Sequence, residues 1–460
     1  MDNRESVIES LNGKNICIWG YGREGRSTEE FLRTWCHPAS VEIYEGTPDD
    51  MAADGGGSWD LIIKSPGIAW MPDERLAKGA AQEITEKLTS QTELFLSAFR
   101  DRTIGVTGTK GKSTTASMLT AALQKATGRQ VLLVGNIGLP CLDFFGDVEE
   151  DTIIVYEMSC HQLRHARTAP HVAVFLNLYE EHLDYYGSME AYFRAKAHIV
   201  SCQHPGDVAY IGENVPPIEG TAVQRIVREK ELMPRFPEPL DAPETAEENG
   251  ESVGLWPRTP LKLYGEHNQL NALFVRRICH EVYGLADEAV CAALAQFESL
   301  PHRMQPLGTY DGIDWYDDSI STIPEAAISA AESIPKVRTL LIGGMDRGIS
   351  YEPLKAFIRE RSDLRFICMY ASGQRIASEL QGSGARLEQG VIADPASDGT
   401  RSLPANVTLC KDLAEAVEAA RRLTPPGEGC VLSPAAASYG YFKNFEDRGD
   451  RFAELVRSRS

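Results

Sequence analysis

The sequence predicts an α/β fold in three domains, and three observations carry that reading. Continuous β-branched and apolar runs alternate with segments that read as helix, the pattern of parallel strands buried on both faces. Two of those runs feed glycine-rich turns that open a helix, at residues 20–25 and 108–111. A length of 460 residues suits about three domains of ordinary size. The expected divisions are residues 1–101, 102–299 and 300–460, with a hinge near Leu300-Pro301.

The first domain opens with a strand at Asn15–Trp19, then Gly20-Tyr21-Gly22-Arg23-Glu24-Gly25 and a helix expected from Ser27 to about Thr34. A second strand, Val41–Tyr44, ends at Glu45, an acid about twenty residues beyond the glycines and placed to reach a ribose hydroxyl. This is the Rossmann fingerprint, in which a nucleotide diphosphate sits on the helix N-terminus. A purely structural βα turn would look the same. Leu61–Lys64 is the next strand, ended by the turn Ser65-Pro66-Gly67, and the helix from Thr92 to about Arg100 closes the domain.

The central domain begins with Ile104-Gly105-Val106-Thr107-Gly108-Thr109-Lys110-Gly111-Lys112-Ser113-Thr114, and Ala116–Ala122 then read as helix. Backbone N–H groups of such a turn and helix N-terminus converge on one point and cradle phosphate. Lys112 would reach the β/γ-phosphates, the Ser113 hydroxyl would meet Mg²⁺, and Gly108 and Gly111 would let the backbone come close. The spacing departs from the usual phosphate loop, because Val106 stands where its first glycine would be. Strands at Val131–Val134, Thr152–Tyr156 and Val172–Leu176 deliver three polar runs at their carboxyl ends, where sites collect. These are Gly135-Asn136-Ile137-Gly138, Glu157-Met158-Ser159-Cys160-His161-Gln162, and Asn177 through Glu181-His182-Leu183-Asp184. An amphipathic helix carries Tyr192 to Lys196. Residues 231–252, rich in Pro and Glu, lack periodicity and read as an exposed insertion. Gly265 to Asn271 open another helix.

The last domain alternates helices with strands at Thr339–Ile342, Phe366–Tyr370 and Cys430–Leu432. No repeat of solenoid period is visible.

Composition narrows the function classes. With 43% hydrophobic and 24% charged residues the chain is that of a soluble globular protein, and no apolar run approaches the roughly 18 residues of a membrane span. No signal-peptide core follows the N-terminus, so a cytoplasmic protein is expected. A net charge of −20 disfavours nucleic acid or an anionic membrane as partner, since both are bound through excess Lys and Arg. The ten cysteines are scattered without C-x-x-C spacing, so reduced, mostly buried thiols are expected and no zinc site or disulfide framework is indicated.

Taken together, these motifs resemble the Mur ligase family across nearly the whole chain. The resemblance rests on Thr107 through Thr114, Gly135 to Gly138, Glu157-Met158-Ser159, Asn177 through Asp184, Lys196, Gly265 to Asn271, Leu300-Pro301-His302-Arg303, Asp318-Ser319, and Ser433-Pro434 through Glu446. It implies an N-terminal Rossmann-like module for UDP, a central P-loop-type ATPase, and a C-terminal Rossmann-like module for the incoming amino acid. The implied reaction joins glutamate to UDP-N-acetylmuramoyl-L-alanine, in peptidoglycan precursor synthesis, by way of an acyl phosphate made with ATP.

By family position, Ser113 and Glu157 would hold one Mg²⁺, and His182 with a carbamylated Lys196 a second; Lys112 would neutralise the transferring phosphoryl group. Thr109, Lys110 and Thr114 complete the ATP loop, Asn268, Asn271 and Arg303 would contact ATP, and Asp318 its ribose. Asn136, Ser159 and Gln162 would hold the muramoyl-alanine portion, while Gly22, Arg23, Glu24 and Ser65 face UDP. Plainer readings stay open: a solvated lysine at 196, a structural histidine at 182, helix caps at Asn268 and Asn271, a surface ion pair at Arg303. A monomer is expected.

Glutamate would be bound by Thr322, Arg347 and Ser438, with Tyr439 and Phe445 alongside. Ligases for the D enantiomer carry Lys-x-Thr-Asn after Asp-Ser, whereas here Ile320-Ser321-Thr322-Ile323 follows, and Arg347 replaces a lysine. Both features are similar to family members that take L-glutamate. Ser438-Tyr439 and Phe442 to Phe445 look like the D-type pocket, and with the family's prevailing activity they favour D-glutamate. Other classes fit less of the chain. An NAD-dependent oxidoreductase leaves residues 107–114, Glu157 and His182 without work, and a folylpolyglutamate-type ligase lacks the N-terminal module. A non-catalytic phosphate-sensing module is hard to reconcile with Lys112, Glu157, His182 and Lys196 together.

Overall fold

The computed structural model describes residues 3–53, 57–70, 78–135, 139–233, 245–248, 251–254, 256–263, 265–381 and 403–458. The chain forms two compact units, one of Met1–Leu261 with His267–Phe297, the other of Lys262–Glu266 with Glu298–Ser460.

The first unit contains two parallel sheets. Strands β1 (Asn15–Trp19), β2 (Ser40–Tyr44), β3 (Leu61–Lys64) and β4 (Leu88–Thr89) form the smaller, in the order β2-β1-β3-β4. Strands β5 (Thr103–Thr107), β6 (Val131–Gly135), β7 (Ile153–Glu157), β8 (Val172–Phe175), β9 (Val208–Gly212) and β10 (Val223–Val227) form the larger, in the order β10-β9-β8-β5-β7-β6. In each sheet the first strand lies between neighbours reached from opposite directions, and ligands bind outside the carboxyl ends of strands at such a switch. The turns after β1 and β3, and those after β5, β7 and β8, are therefore gathered at two sheet edges.

All residues of β5, β7 and β8 are buried, as continuous apolar runs require when helices cover both faces. One apolar cluster serves both sheets: Ile16, Ile18, Phe31 and Phe99 belong to it with Phe145, Ile154 and Phe175. Phe145 sits edge-on to Phe31 and Phe99, with ring centroids at 4.8 and 5.1 Å. Trp19, Trp59 and Trp70 fill a separate cluster on the other side of the smaller sheet.

Strands β11 (Thr245–Glu248) and β12 (Glu251–Gly254) pair as an antiparallel ribbon. This corrects the reading of 231–252 as wholly irregular; residues 234–244 and 249–250 lie outside the described set. The period-2 signal was masked because Glu247, Glu248 and Glu251 fall where apolar alternation would have marked the strands.

The second unit holds a six-stranded sheet made of β13 (Gln305–Tyr310), β14 (Ile313–Asp317), β15 (Val337–Ile342), β16 (Arg365–Met369), β17 (Val407–Cys410) and β18 (Gly429–Leu432), in the order β13-β14-β18-β15-β16-β17. Only the edge pair β13/β14 is antiparallel. Separate apolar clusters cover this sheet, one around Leu340, Phe366 and Val431, the other around Trp315, Ile367 and Phe452.

Two expected boundaries move. The first helix after β1 runs Arg23–Trp35 rather than from Ser27, because Gly22 takes the N-cap position and the first turn is made of Arg23, Glu24 and Gly25, with no apolar side chain to announce it. The strand expected to reach Tyr370 stops at Met369, since Tyr370 adopts φ +58° and opens a helix. Among the described residues no helix is long and apolar enough to cross a membrane. All ten cysteines are free thiols, most of them buried.

Candidate active site

The phosphate loop joins β5 to the helix Lys112–Thr127. Gly111, at φ +83°, takes the N-cap position, so Lys112, Ser113 and Thr114 form the first turn and present helix N–H groups that the helix itself cannot satisfy. A Cβ at Gly111 would lie 2.8 Å from Asn271 Oδ1, and Asn271 Nδ2 in turn donates to Asn268 Oδ1 at 3.1 Å. The two expected ATP contacts thus form a buried pair against the loop. Asn177, after β8, clamps the other side: its Oδ1 accepts from Lys110 N at 2.9 Å and its Nδ2 donates to Lys110 O at 3.0 Å. Lys112 Nζ folds over the loop and donates to the carbonyls of Gly108 and Thr109 at 3.1 and 2.9 Å.

Beside this loop lies a cavity of about 420 Å³ whose lining includes Glu24, Lys112, Ser159, Gln162, His182 and Lys196. The structure therefore brings together six residues singled out from five separate stretches of sequence. Ser159 caps the short helix Cys160–Leu163, and a reciprocal pair fixes it: Gln162 N donates to Ser159 Oγ at 3.2 Å, and Ser159 N to Gln162 Oε1 at 2.9 Å. That leaves Gln162 Nε2 to donate to Glu24 Oε1 at 3.1 Å. Glu157, at the end of β7, is fully buried.

Lys196 comes from the helix Met189–Ser201 and is 1% exposed. Its Nζ donates to Gly108 O at 2.7 Å and lies 4.9 Å from the centre of the Tyr192 ring. Burial, assisted by the Lys112 charge, holds its pKa down to about 7. An amine in that state is uncharged in a large fraction of molecules near neutrality. His182 adopts φ +56°, a left-handed conformation that histidine takes more readily than most side chains, at the start of the helix Leu183–Tyr186.

The turn after β1 packs tightly. Ser65 Oγ donates to Gly20 O at 2.8 Å, and a Cβ on Gly25 would lie 2.2 Å from that same oxygen. Gly22 and Arg23 are exposed beside it, while Glu24 is largely enclosed and burial raises its carboxyl pKa. Asn136 lies outside the described residues.

In the second unit, the loops after β14, β15 and β18 lie on adjacent strands. An Arg347 N–H donates to Thr322 O at 3.1 Å, so these two expected glutamate contacts meet. Ser438 is buried, Tyr439 is exposed, and Phe445 O accepts from Ser319 Oγ at 2.8 Å. Asp318, expected on the ATP ribose, is enclosed within its own unit. Its carboxylate is 2% exposed and accepts from Ser433 Oγ at 2.7 Å, Met304 N at 3.1 Å, and Ser321 Oγ; burial still raises its pKa to about 6. Arg303 neighbours this loop through His302, whose imidazole pairs with Asp317 at 2.7 Å.

Several residues escaped the sequence reading. Lys64, 5% exposed, donates to the carbonyls of Ser65 and Ile68 at 3.0 Å each, and burial lowers its pKa to about 8. A lysine closing an apolar strand was the available signal. Arg448, fully buried, donates to Ser319 Oγ, Ser319 O and Ala436 O at 3.0, 2.7 and 3.0 Å, joining the loops after β14 and β18. Cys160 and His161 also line the cavity, between Ser159 and Gln162.

Residues 106–228 match the Mur ligase middle domain. Over 98% of its length the chain is 31% identical to the UDP-N-acetylmuramoyl-L-alanine–L-glutamate ligase of Salinispora tropica, of which 99% is covered. It is also 31% identical to the UDP-N-acetylmuramoylalanine–D-glutamate ligase of Symbiobacterium thermophilum, over 87% of this chain and 84% of that one. Among solved structures, the MurF ligase of Thermotoga maritima in complex with ADP is similar in fold, with a TM-score of 0.54 at 15% identity over 99% of this chain and 98% of the other.

Proposed function

The chain belongs to the Mur ligase family, as one of its UDP-N-acetylmuramoyl-L-alanine–glutamate ligases, and from that premise we propose how its residues divide the work. Three modules act in sequence: residues 1–101 bind UDP, 102–299 bind ATP, and 300–460 bind glutamate. The observation that carries this reading is the convergence of Lys112, Ser159, Gln162, His182 and Lys196 on one cavity at the edge of the phosphate loop.

ATP would lie along residues 108–114, its phosphates held by the loop N–H groups, with Asn268, Asn271 and Arg303 contacting the nucleotide. Lys112 already spans the loop mouth and would turn from the Gly108 and Thr109 carbonyls to the transferring phosphoryl group. Ser159 and Gln162 would orient the alanyl carboxylate, which takes the γ-phosphoryl group to become an acyl phosphate. The glutamate amino group, held by the second unit, then attacks that carbonyl carbon and displaces phosphate.

The donor set fits Mg²⁺, a cation that prefers oxygen. Ser113 and the buried carboxylate of Glu157 would hold one ion; His182 and a carbamate on Lys196 would hold a second. Bound there, the ions supply neutralisation of phosphate charge during transfer. Lys196 suits carbamylation because a buried amine with a pKa of about 7 keeps a lone pair for CO₂. Asp318 acts as the organiser of its loop, and its fixed backbone, rather than its enclosed carboxylate, serves the nucleotide.

For the amino acid we propose L-glutamate, in place of the D enantiomer that the sequence alone favours. The Salinispora tropica relative that bears that name aligns across 98% of this chain, against 87% for the D-glutamate relative. Asp318-Ser319-Ile320-Ser321-Thr322 and Asp346-Arg347-Gly348 are the local features in agreement, and Arg347 already meets Thr322. The D-type features at Ser438-Tyr439 and Phe442 to Phe445 support the second reading. A phosphate-release assay with ATP, UDP-N-acetylmuramoyl-L-alanine and each enantiomer separately decides: turnover with L alone supports the proposal, turnover with D alone reverses the enantiomer, and turnover with neither removes the glutamate assignment. We place the enzyme in the cytoplasm as a monomer, on the expectation that its ATP-dependent reaction runs on cytoplasmic nucleotides.

A further inference from the structure

Cys160 and His161 open the short helix after β7 and His182 lies in the loop after β8, and one ligand atom from each lies within 4.8 Å of the other two. Aromatic neighbours surround the His161 ring. The His161 ring meets Tyr185 edge-on with centroids 4.4 Å apart, stacks on Tyr186 at 5.7 Å, and approaches the His182 ring to 5.2 Å. The Tyr186 hydroxyl is 3.4 Å from His161 Nδ1. Cys160 is 3% exposed, next to the cap Ser159. Glu181 Oε2, 3.9 Å from His182 Nε2, is within reach of the same place.

One thiol and two imidazoles make a donor set that Mg²⁺ refuses and that Zn²⁺ or Co²⁺ accepts. Zinc bonds of about 2.0–2.3 Å put tetrahedral ligand atoms roughly 3.3–3.6 Å apart. From 4.8 Å the atoms need to close by about 1.2–1.5 Å, which asks for rotation of the exposed His182 together with small movements of Cys160 and His161.

We propose that Cys160, His161 and His182 form a site for a nitrogen- and sulfur-seeking divalent cation, of which Zn²⁺ is the type, in the wall of the active-site cavity. Glu181 or water completes the tetrahedron. Binding converts the Cys160 thiol to a thiolate, its proton leaving to solvent, so affinity rises with pH. Occupation also removes His182 from the catalytic ions, and Zn²⁺ at this place opposes Mg²⁺-dependent ligation. Binding is independent of the ligase reading; the inhibition rests on it.

Cobalt makes the site visible. Co²⁺ is titrated into the full-length protein without Mg²⁺, and one equivalent is expected to bring a thiolate-to-cobalt charge-transfer band with tetrahedral d–d absorption. Cys160→Ser should abolish that band, and His161→Phe should weaken binding at least ten-fold while the band persists at saturation. No band in the native protein, or an unchanged band in Cys160→Ser, overturns the site. Thermal unfolding first establishes that each variant is folded, and should Cys160→Ser not be, His161→Phe alone decides through its affinity. Then Zn²⁺ is added during phosphate release at saturating Mg²⁺, each protein being scaled to its own zinc-free rate. The half-inhibiting concentration should rise at least ten-fold in either variant. Equal zinc sensitivity overturns the opposition to Mg²⁺, whereas absence of any turnover in zinc-free native protein defeats the ligase reading and leaves the cobalt spectrum to judge the site.

Discussion

Lys196 Nζ donates a 2.7 Å hydrogen bond to the carbonyl oxygen of Gly108, joining the helix Met189–Ser201 directly to the phosphate loop. A buried ammonium would be costly there, and the cost shows as a pKa held at about 7 rather than 10.5. Because the native state then binds fewer protons than the unfolded state between those values, stability rises with pH across that window; the penalty is fully present below pH 7. In CO₂-free buffer, Lys196→Met should reduce this pH dependence by about 2 kcal/mol between pH 7 and pH 9. Denaturant titrations at the two pH values check it, and parallel slopes for variant and native protein would contradict the buried-amine account.

Carbamylation predicts a separate signature. ¹³C-labelled bicarbonate should give a carbamate resonance in the native protein that Lys196→Ala lacks. Lys196→Ala should also lose ligation, with partial recovery in chloride or acetate, since either anion can occupy the vacated place. An active Lys196→Ala enzyme removes the second ion site from the mechanism.

Asp318 gives the opposite sign from an ordinary surface acid. Burial raises its pKa from 3.8 to about 6, so the native state binds more protons in that interval and stability falls as pH rises through it. Asp318→Asn should flatten this fall, while Asp318→Ala should cost about 1–3 kcal/mol by leaving Ser433 and Met304 N without their acceptor. Thermal unfolding between pH 4 and pH 7 separates the two variants.

Gly25→Ala tests the first turn. The new Cβ would approach Gly20 O to 2.2 Å, so the helix Arg23–Trp35 must shift, at about 1–3 kcal/mol. KM for the UDP substrate should rise with KM for ATP unchanged; equal effects on both would show that the turn does not bind UDP.

Arg347→Ala should raise KM for glutamate by about ten- to a hundred-fold, and Arg347→Lys by less, because lysine keeps the charge but loses the paired donors. Steady-state kinetics in glutamate measure this. An unchanged KM would remove Arg347 from the amino-acid site.

Much of this was legible because strands buried on both faces announce themselves: β1, β3, β5, β7 and β8 all stand within a residue or so of the apolar runs that predict them. The helix starting at Arg23 was harder, since its first turn carries the charges of an exposed loop. The enclosure of Asp318 was not legible, because sequence shows an acid but not the hydroxyls of Ser321 and Ser433 that surround it. The cluster of Cys160, His161 and His182 has no spacing signature. Two of its members are adjacent in the chain, and the third arrives only because β7 and β8 flank the same strand.

That flanking has a consequence for synthesis on the ribosome. When β5 emerges, neither of its partners exists; β7 completes at Glu157 and β8 at Phe175, and Asn271, which packs against Gly111, follows nearly a hundred residues later. At about 5–20 residues per second, the phosphate loop waits several seconds with apolar strand edges bare. Long-range parallel pairing is slow even in a finished chain. The nascent central sheet is thus the stage at which this protein is most exposed to aggregation, and the stage at which a chaperone would have most to do.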